Sequence, residues 1–183
     1  MKRVKPPFFT QEPLNLPVEH TMANVRNPFS RLHSAFNDKL RKDGKHKEWI
    51  TSYLPAIQPF MDTFPTDNGD HHAASFNAFA AYVTANPSDV SNDWHWKTEF
   101  WHCSPCQFNY KYITHLENST AEAEWLFKHF KVENKTHLAG EYQTLPGHTQ
   151  ARLPSQHYYN ATPKDLIKRI YRTRFYTYDI STF

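Results

Sequence analysis

The chain has 183 residues, 39% of them hydrophobic and 16% aromatic, which is enough for one domain with a real core and short of two. Charged residues make up 21% and the mean hydropathy is −0.77, a composition that excludes a disordered chain and asks aromatic rings to fill much of the core. Lys and Arg number 21 against 18 Asp and Glu, a net charge of +3; this mild excess suits a small anionic ligand without requiring one, and no nucleic-acid partner is expected.

Residues 1–24 read as a proline-rich leading arm and 25–183 as the domain. The opening "MKRVKPPFFTQEPLNLP" lacks the apolar centre of a signal peptide, and no apolar run reaches the length of a transmembrane helix. The expectation is a cytosolic chain or one whose targeting segment lies outside this sequence.

From Phe29 onward, Phe29, Leu32, Ala35, Phe36 and Leu40 follow helical spacing, with Asn27 as cap and Pro28 in the first turn. This predicts a helix to about Lys42, ending near Gly44. Arg26 then stands at the end of an extended segment, and Ser34 lies two turns, about 11 Å, into the helix. A phosphate can be held by a guanidinium on one side and a hydroxyl on the other if the chain turns sharply at Asn27-Pro28, with Arg31 as a second cation. On spacing alone, the first reading of Arg26, Arg31 and Lys39 is a solvated face and of Ser34 a packing residue.

The segment "KHKEWITSYLPAIQPFMDTFPTDNGDHHAA" suggests short helical pieces and an exposed loop at Asn68 to His72. "SFNAFAAYV" places Phe76, Phe79, Tyr82 and Val83 on one helical face behind a Ser75 cap. In "HCSPC", Cys103 and Cys106 are too few for a disulfide scaffold and two ligands short of a structural zinc site, one short if His102 is counted as a third; a small disulfide loop or a buried thiol pair fits better, and no metal is expected.

"FNYKYIT" alternates like a strand and "STAEAEWLFKHF" reads as a capped helix. Asn134 to Tyr158 reads as polar loop. In "TPKDLIKRIYRTRFYTYDISTF", Leu166, Ile167, Ile170, Tyr171 and Phe175 form a helical stripe behind a Thr-Pro start. Asn118, Asn134 and Asn160 each begin a glycosylation sequon, which leans toward the secretory route.

Taken together, four blocks carry a resemblance. "VRNPFSRLHSAFNDKL" resembles the segment with which sulfotransferases bind the 3'-phosphate of PAPS (3'-phosphoadenosine 5'-phosphosulfate), most closely that of the Golgi carbohydrate sulfotransferases of the chondroitin/dermatan and HNK-type group. "SFNAFAAYV" is similar to that family's Phe-x-x-Phe helix, "HWKTEFWHCSPCQFNYKYITHLEN" to its His-Trp and Cys-x-Pro-Cys block, and "IKRIYRTRFYTYD" to its closing segment.

The resemblance implies an α/β, P-loop-like sulfotransferase fold with a mostly parallel central sheet flanked by helices. It implies transfer of sulfate from PAPS to a sugar hydroxyl of a glycan or proteoglycan, in the Golgi lumen, on a protein held to the membrane by an anchor outside this chain. Arg26 and Ser34 would hold the 3'-phosphate, with Arg31 as helper or structural ion-pair partner. His95, in the His-Trp block, and His20, just before the phosphate segment, are the candidate proton acceptors, and packing or turn roles account for them as well. Glu117 also matches a family position, where it reads as a buried carboxylate paired with an arginine. Trp94, Trp96 and Trp101 and the basic stretch Arg41 to Lys47 offer faces and charge to the acceptor.

This sequence also departs from the family. Residues 1–25 contain no counterpart of its Pro-Lys-x-x-Cys-Thr-Asn-Trp loop for the 5'-phosphosulfate, "VEHTMAN" is less apolar than its buried strand, Asn109-Tyr110 changes a Tyr-Asp order, and Arg174 replaces an Asp. The alternative expectation is therefore a non-catalytic glycan- or nucleotide-binding relative, with a secreted structural domain behind it.

Overall fold

Asn27 and Pro28 set the point at which strand becomes helix. The Asn27 side chain accepts from the backbone N–H of Phe29 at 3.0 Å and of Ser30 at 3.3 Å, and Pro28, which has no N–H to satisfy, opens α1, Pro28–Lys39. Replacing Asn27 with alanine leaves both donors to solvent and is expected to cost about 1 kcal/mol in a urea melt, while Asn27→Ser retains most of that. The helix ends at Leu40, whose N–H bonds Phe36 O, a turn short of the expected Gly44 stop.

These features come from a computed structural model that describes residues 21–41, 47–66, 72–85, 93–99, 103, 108–132 and 155–175. Before α1 runs β1, Met22–Val25, and later β2, Tyr112–His115. They pair in parallel, Met22 opposite Tyr112 and Val25 opposite His115. Parallel neighbours need a crossover, and α1, α2 (Lys47–Met61) and α3 (Phe76–Ala85) lie in it. The expected α/β class with a parallel sheet is thus found. Pairing begins at Tyr112 rather than Phe108 because β1 is only four residues long; Lys111 and Tyr112 already donate to Thr21 O just before it.

After β2 come a 3-10 turn, Leu116–Asn118, and α4, Ser119–His129. The expected cap is not formed: Asn118, at the cap position, makes no side-chain capping hydrogen bond. Glu122 turns back instead, accepting the backbone N–H of His115 at 2.5 Å, and that bond holds its carboxyl below the usual range. The chain then reaches α5, Ser155–Asn160, and α6, Lys164–Phe175.

The core is built around α3, buried on nearly all sides, where Ser75 Oγ accepts from Ala78 N at 3.0 Å as the sequence suggests. Leu32, Ala35 and Phe36 of α1, Ile57 of α2, and Leu166 and Ile170 of α6 close on it, with Trp96. Only that edge of α6 is covered: Ile167 is half-buried and Tyr171 exposed, so the predicted stripe is wider than the buried one.

Three further differences from expectation have tertiary causes. The second segment forms one helix through Pro55 and Pro59, which lie a turn apart on its exposed side while Ile57 is buried and Tyr53, Leu54 and Phe60 pack against the core. Each proline removes a helix hydrogen bond, and the apolar face offsets the loss. His72 is buried rather than in an exposed loop: its ring stacks on Phe36 at 4.3 Å, and its Nε2 lies 3.0 Å from Asn37 Oδ1. Tyr158, expected in a loop, lies on α5 and packs its ring against Phe36 and Phe76.

Among the described residues, no helix is long and apolar enough to cross a membrane.

Candidate functional site

The parallel pair points its C-terminal end at the start of α1, so the residues leaving β1 and β2 meet there. Arg26, half-buried, follows β1 directly, and its Nε donates to Ser30 Oγ at 3.0 Å. That bond ties the guanidinium to the first turn of α1. From the other strand's exit, Glu117 accepts the backbone N–H of Asn27 at 2.8 Å. Glu117 is thus exposed and bonded to backbone, not the buried partner of an arginine that was expected. Because Asn27 already takes two N–H groups of the helix start, an anion beside α1 would depend chiefly on side chains.

Arg31, on the next turn, is engaged twice. It forms an ion pair with Glu99 at 2.9 Å and donates through Nη2 to Trp94 O at 2.8 Å. Ser34 lies half-buried, one turn beyond Ser30. Arg31 therefore joins α1 to the turn Asp93–Thr98, and a small cleft of about 10 Å³ lies at that junction between Pro28, Arg31, Trp96 and Glu99.

The turn is closed by Asp93, whose backbone carbonyl accepts from Trp96 and Lys97 and whose Oδ1 accepts from the His95 backbone N–H at 2.9 Å. The same oxygen meets His95 Nδ1 in a short contact, and Oδ2 accepts from the Tyr53 hydroxyl at 3.1 Å. Burial pushes the Asp93 carboxyl up, but the hydrogen bonds from the His95 ring and backbone and from Tyr53 outweigh it and leave it below its ordinary 3.8. A group depressed in the folded state contributes stability that is complete above its unfolded value and lost as pH falls through the folded one. Acid unfolding of Asp93→Asn, followed by fluorescence below about pH 4, is therefore expected to be shallower than that of wild type.

His95 is exposed over 41% of its side chain, with its ring edge-on to Trp49 at 5.3 Å. Trp96 is only 2% exposed and belongs to the core, so it offers no face to a ligand as proposed from sequence. Trp94 is exposed, with Lys97 Nζ 5.1 Å over its ring. Trp125, which no motif singles out, is 54% exposed and stacks on His129 at 4.8 Å.

Cys103 is half-buried and its thiol donates to Glu99 Oε2 at 3.7 Å; burial, then Glu99, pushes that thiol up. Asn118 and Asn160 are both exposed, and Asn109 lends its carbonyl to the Thr21 hydroxyl. His20, Trp101, His102, Cys106, Asn134 and positions 42–46 lie outside the described residues, as do the side chains of Lys47 and Arg174. Among the described residues, no cluster of His, Cys, Asp and Glu is placed to hold a metal ion.

Of the residues singled out from sequence, the fold places Arg26, Arg31 and Ser34 on and just before one helix and joins the His95 turn to it through Arg31. The sequence reading missed Ser30, Asp93 and Tyr53. The i, i+4 spacing of Arg26 and Ser30 and the Asp-x-His order of 93–95 were available signals for the first two. Tyr53, on a separate helix, left none.

A family model described as sulfotransferase family matches residues 11–183. The chain is 28% identical over 159 residues to carbohydrate sulfotransferase 10 of Homo sapiens, covering 80% of this chain and 42% of the relative. It is 29% identical over 161 residues to the Xenopus laevis protein of the same name, covering 82% and 43%. Carbohydrate sulfotransferase 12 of Mus musculus matches at 26% over 128 residues, 65% of this chain and 30% of the relative. The chain thus spans less than half the length of these relatives. No solved structure matches it at a significant level.

Proposed function

This chain belongs to the sulfotransferase family, with an α/β fold to suit, and on that premise we propose that it is the part of a carbohydrate O-sulfotransferase that grips the 3'-phosphate of PAPS and faces the acceptor sugar. The observation that carries the reading is the strand-cap-helix unit Val25 to Ser34, where Arg26 leaves β1 beside the first turn of α1. The relatives' names specify carbohydrate, which supports a glycan or proteoglycan acceptor. A Golgi lumenal location, with membrane attachment, follows the same family reading.

The reaction is in-line attack of a sugar hydroxyl oxygen on the sulfur of PAPS. The bond from sulfur to the bridging oxygen breaks, adenosine 3',5'-bisphosphate leaves, and the hydroxyl proton passes to a base. The protein's share is positioning and charge stabilisation. Arg26 would neutralise the 3'-phosphate with a planar donor fork, Ser30 would hold the fork, and Ser34 would add a hydroxyl. Arg31 keeps the His95 turn against α1 through Glu99 and Trp94 O, whether or not it also reaches the phosphate. His95 and His20 are the candidate bases, and the exposed Trp94 ring offers a stacking face to a sugar.

The test is calorimetry with adenosine 3',5'-bisphosphate together with transfer of labelled sulfate from PAPS to chondroitin-type and related glycans. Binding in the micromolar range is expected. A folded chain that does not bind the bisphosphate overturns the reading. A second reading, a nucleotide- or glycan-binding relative without turnover, is favoured by the engagement of Arg31 with Glu99 and Trp94, and it predicts binding with no transfer.

A further inference from the structure

We propose that Asp93 and Tyr53 are positioning residues that fix His95 as the proton acceptor for the acceptor hydroxyl. The inference rests on the sulfotransferase reading above and names, within it, which of the two histidines acts and what prepares it.

A histidine serves as base only if one ring nitrogen carries an unshared pair toward the substrate, and the hydrogen bond at the other nitrogen decides which one that is. Asp93 supplies that bond. Its side chain is 9% exposed, and its carboxylate receives the His95 ring Nδ1, the His95 backbone N–H and the Tyr53 hydroxyl. With Nδ1–H donating to an ionised carboxylate, Nε2 is left as the acceptor on a ring that is 41% exposed. When Nε2 takes the hydroxyl proton, the imidazolium stays paired with Asp93.

Tyr53 holds the far side of the carboxylate. Burial, then Asp93, keeps its phenol protonated well above the ordinary range, so it remains a donor at working pH. Its ring is wedged edge-on against buried Trp96 at 4.7 Å and parallel to Trp49 at 5.8 Å. Among the described residues, Lys39 holds its Nζ 4.6 Å over the Trp49 ring and Lys97 lies over Trp94. The Arg31–Glu99 pair on α1's side ties the whole turn to the helix that follows Arg26.

A purely structural Asp93 closes the turn and nothing more, so the experiment needs readouts that turn closure would not move. Nitrogen-15 spectra of the histidine-labelled chain report the His95 tautomer, and steady-state transfer from PAPS to a glycan acceptor reports kcat and KM. In wild type His95 is expected as the Nδ1–H tautomer. Asp93→Ala should shift it toward Nε2–H and lower kcat about 10- to 100-fold, with both KM values within about twofold. His95→Ala should lose at least as much, and adding Asp93→Ala to it should cost nothing further, because residues acting as one unit are not additive. Tyr53→Phe, which keeps the ring packing, should lower kcat about threefold, and Asp93→Asn serves if Asp93→Ala does not fold.

Wild-type kcat in a folded Asp93→Ala protein, or an additive loss in the double variant, overturns the proposal and leaves the sulfotransferase reading standing. A wild-type chain that binds no bisphosphate and transfers no sulfate overturns both.

Discussion

Phe36→Ala is expected to destabilise the domain by about 3–5 kcal/mol, read as a fall in the urea midpoint with an unchanged slope. Phe36 is fully buried, and rings close on it from several directions: His72 stacks at 4.3 Å, Phe76 meets it at 5.4 Å, Phe79 at 5.7 Å and Tyr158 at 5.8 Å. Such rings are rigid and are carried by α3, α5 and the segment before α3, so they cannot all move together to fill the space a benzyl group leaves. The cavity therefore persists and adds to the lost transfer energy. His72 Nε2 also lies 3.0 Å from Asn37 Oδ1, and Asn37 Nδ2 lies 2.6 Å from His33 Nε2. Loosening the stack would strain this buried polar chain, whose groups are costly to leave unpaired. A domain of this size commonly has 5–15 kcal/mol in total, so the loss is a large share of it. Phe36→Leu keeps most of the volume and should cost roughly 1–2 kcal/mol; a cost below 1 kcal/mol for the alanine variant would mean that the rings do not form the core.

The elements readable from sequence are those whose signals are local. Asn27-Pro28 and Ser75 cap helices through atoms two or three residues away, and both caps form. The elements misread depend on distant partners. α2 survives two prolines because Ile57 and its neighbours are covered by other helices, which no local pattern reports. Tyr158 and Tyr159 sit in a polar stretch, yet Tyr159 donates to Phe29 O at 2.8 Å across the chain and packs edge-on to Phe76. Glu122 forgoes its helix start for the His115 N–H because β2 ends within its reach.

The same division runs through the site. Arg26 and the α1 start were legible because cap, proline and spacing lie within ten residues. That Arg26 engages Ser30, that Glu117 bonds Asn27 rather than an arginine, and that Arg31 secures the His95 turn all depend on where β2 and residues 93–99 come to rest. Trp96 and Trp94, two residues apart and alike in sequence, separate into a core ring and a surface ring only once Tyr53 and Phe79 pack against Trp96.

The largest functional effect is expected from Arg26→Ala, which should weaken adenosine 3',5'-bisphosphate about 100-fold by calorimetry, equivalent to roughly 2.7 kcal/mol. A 3'-phosphate carries close to two negative charges, and a guanidinium meets it with two parallel charge-assisted hydrogen bonds. Among the described residues, few other groups at the start of α1 can replace it. The N–H groups of Phe29 and Ser30 are taken by Asn27, and Arg31 is drawn toward Glu99 and Trp94. Arg26→Lys keeps the charge but not the fork and should cost about tenfold. Ser30→Ala removes one hold on Nε and should cost a few-fold through orientation, and Ser34→Ala should fall below Arg26→Ala because it removes a neutral hydroxyl. Added salt should weaken wild type more than Arg26→Ala, since the charge it screens is absent from the variant. Stability should move by less than about 1 kcal/mol, because Arg26 is half-buried at a strand exit rather than in the core. Unchanged bisphosphate affinity in a folded Arg26→Ala protein would remove the phosphate role from this residue, and an unfolded one would make its bond to Ser30 part of the scaffold instead.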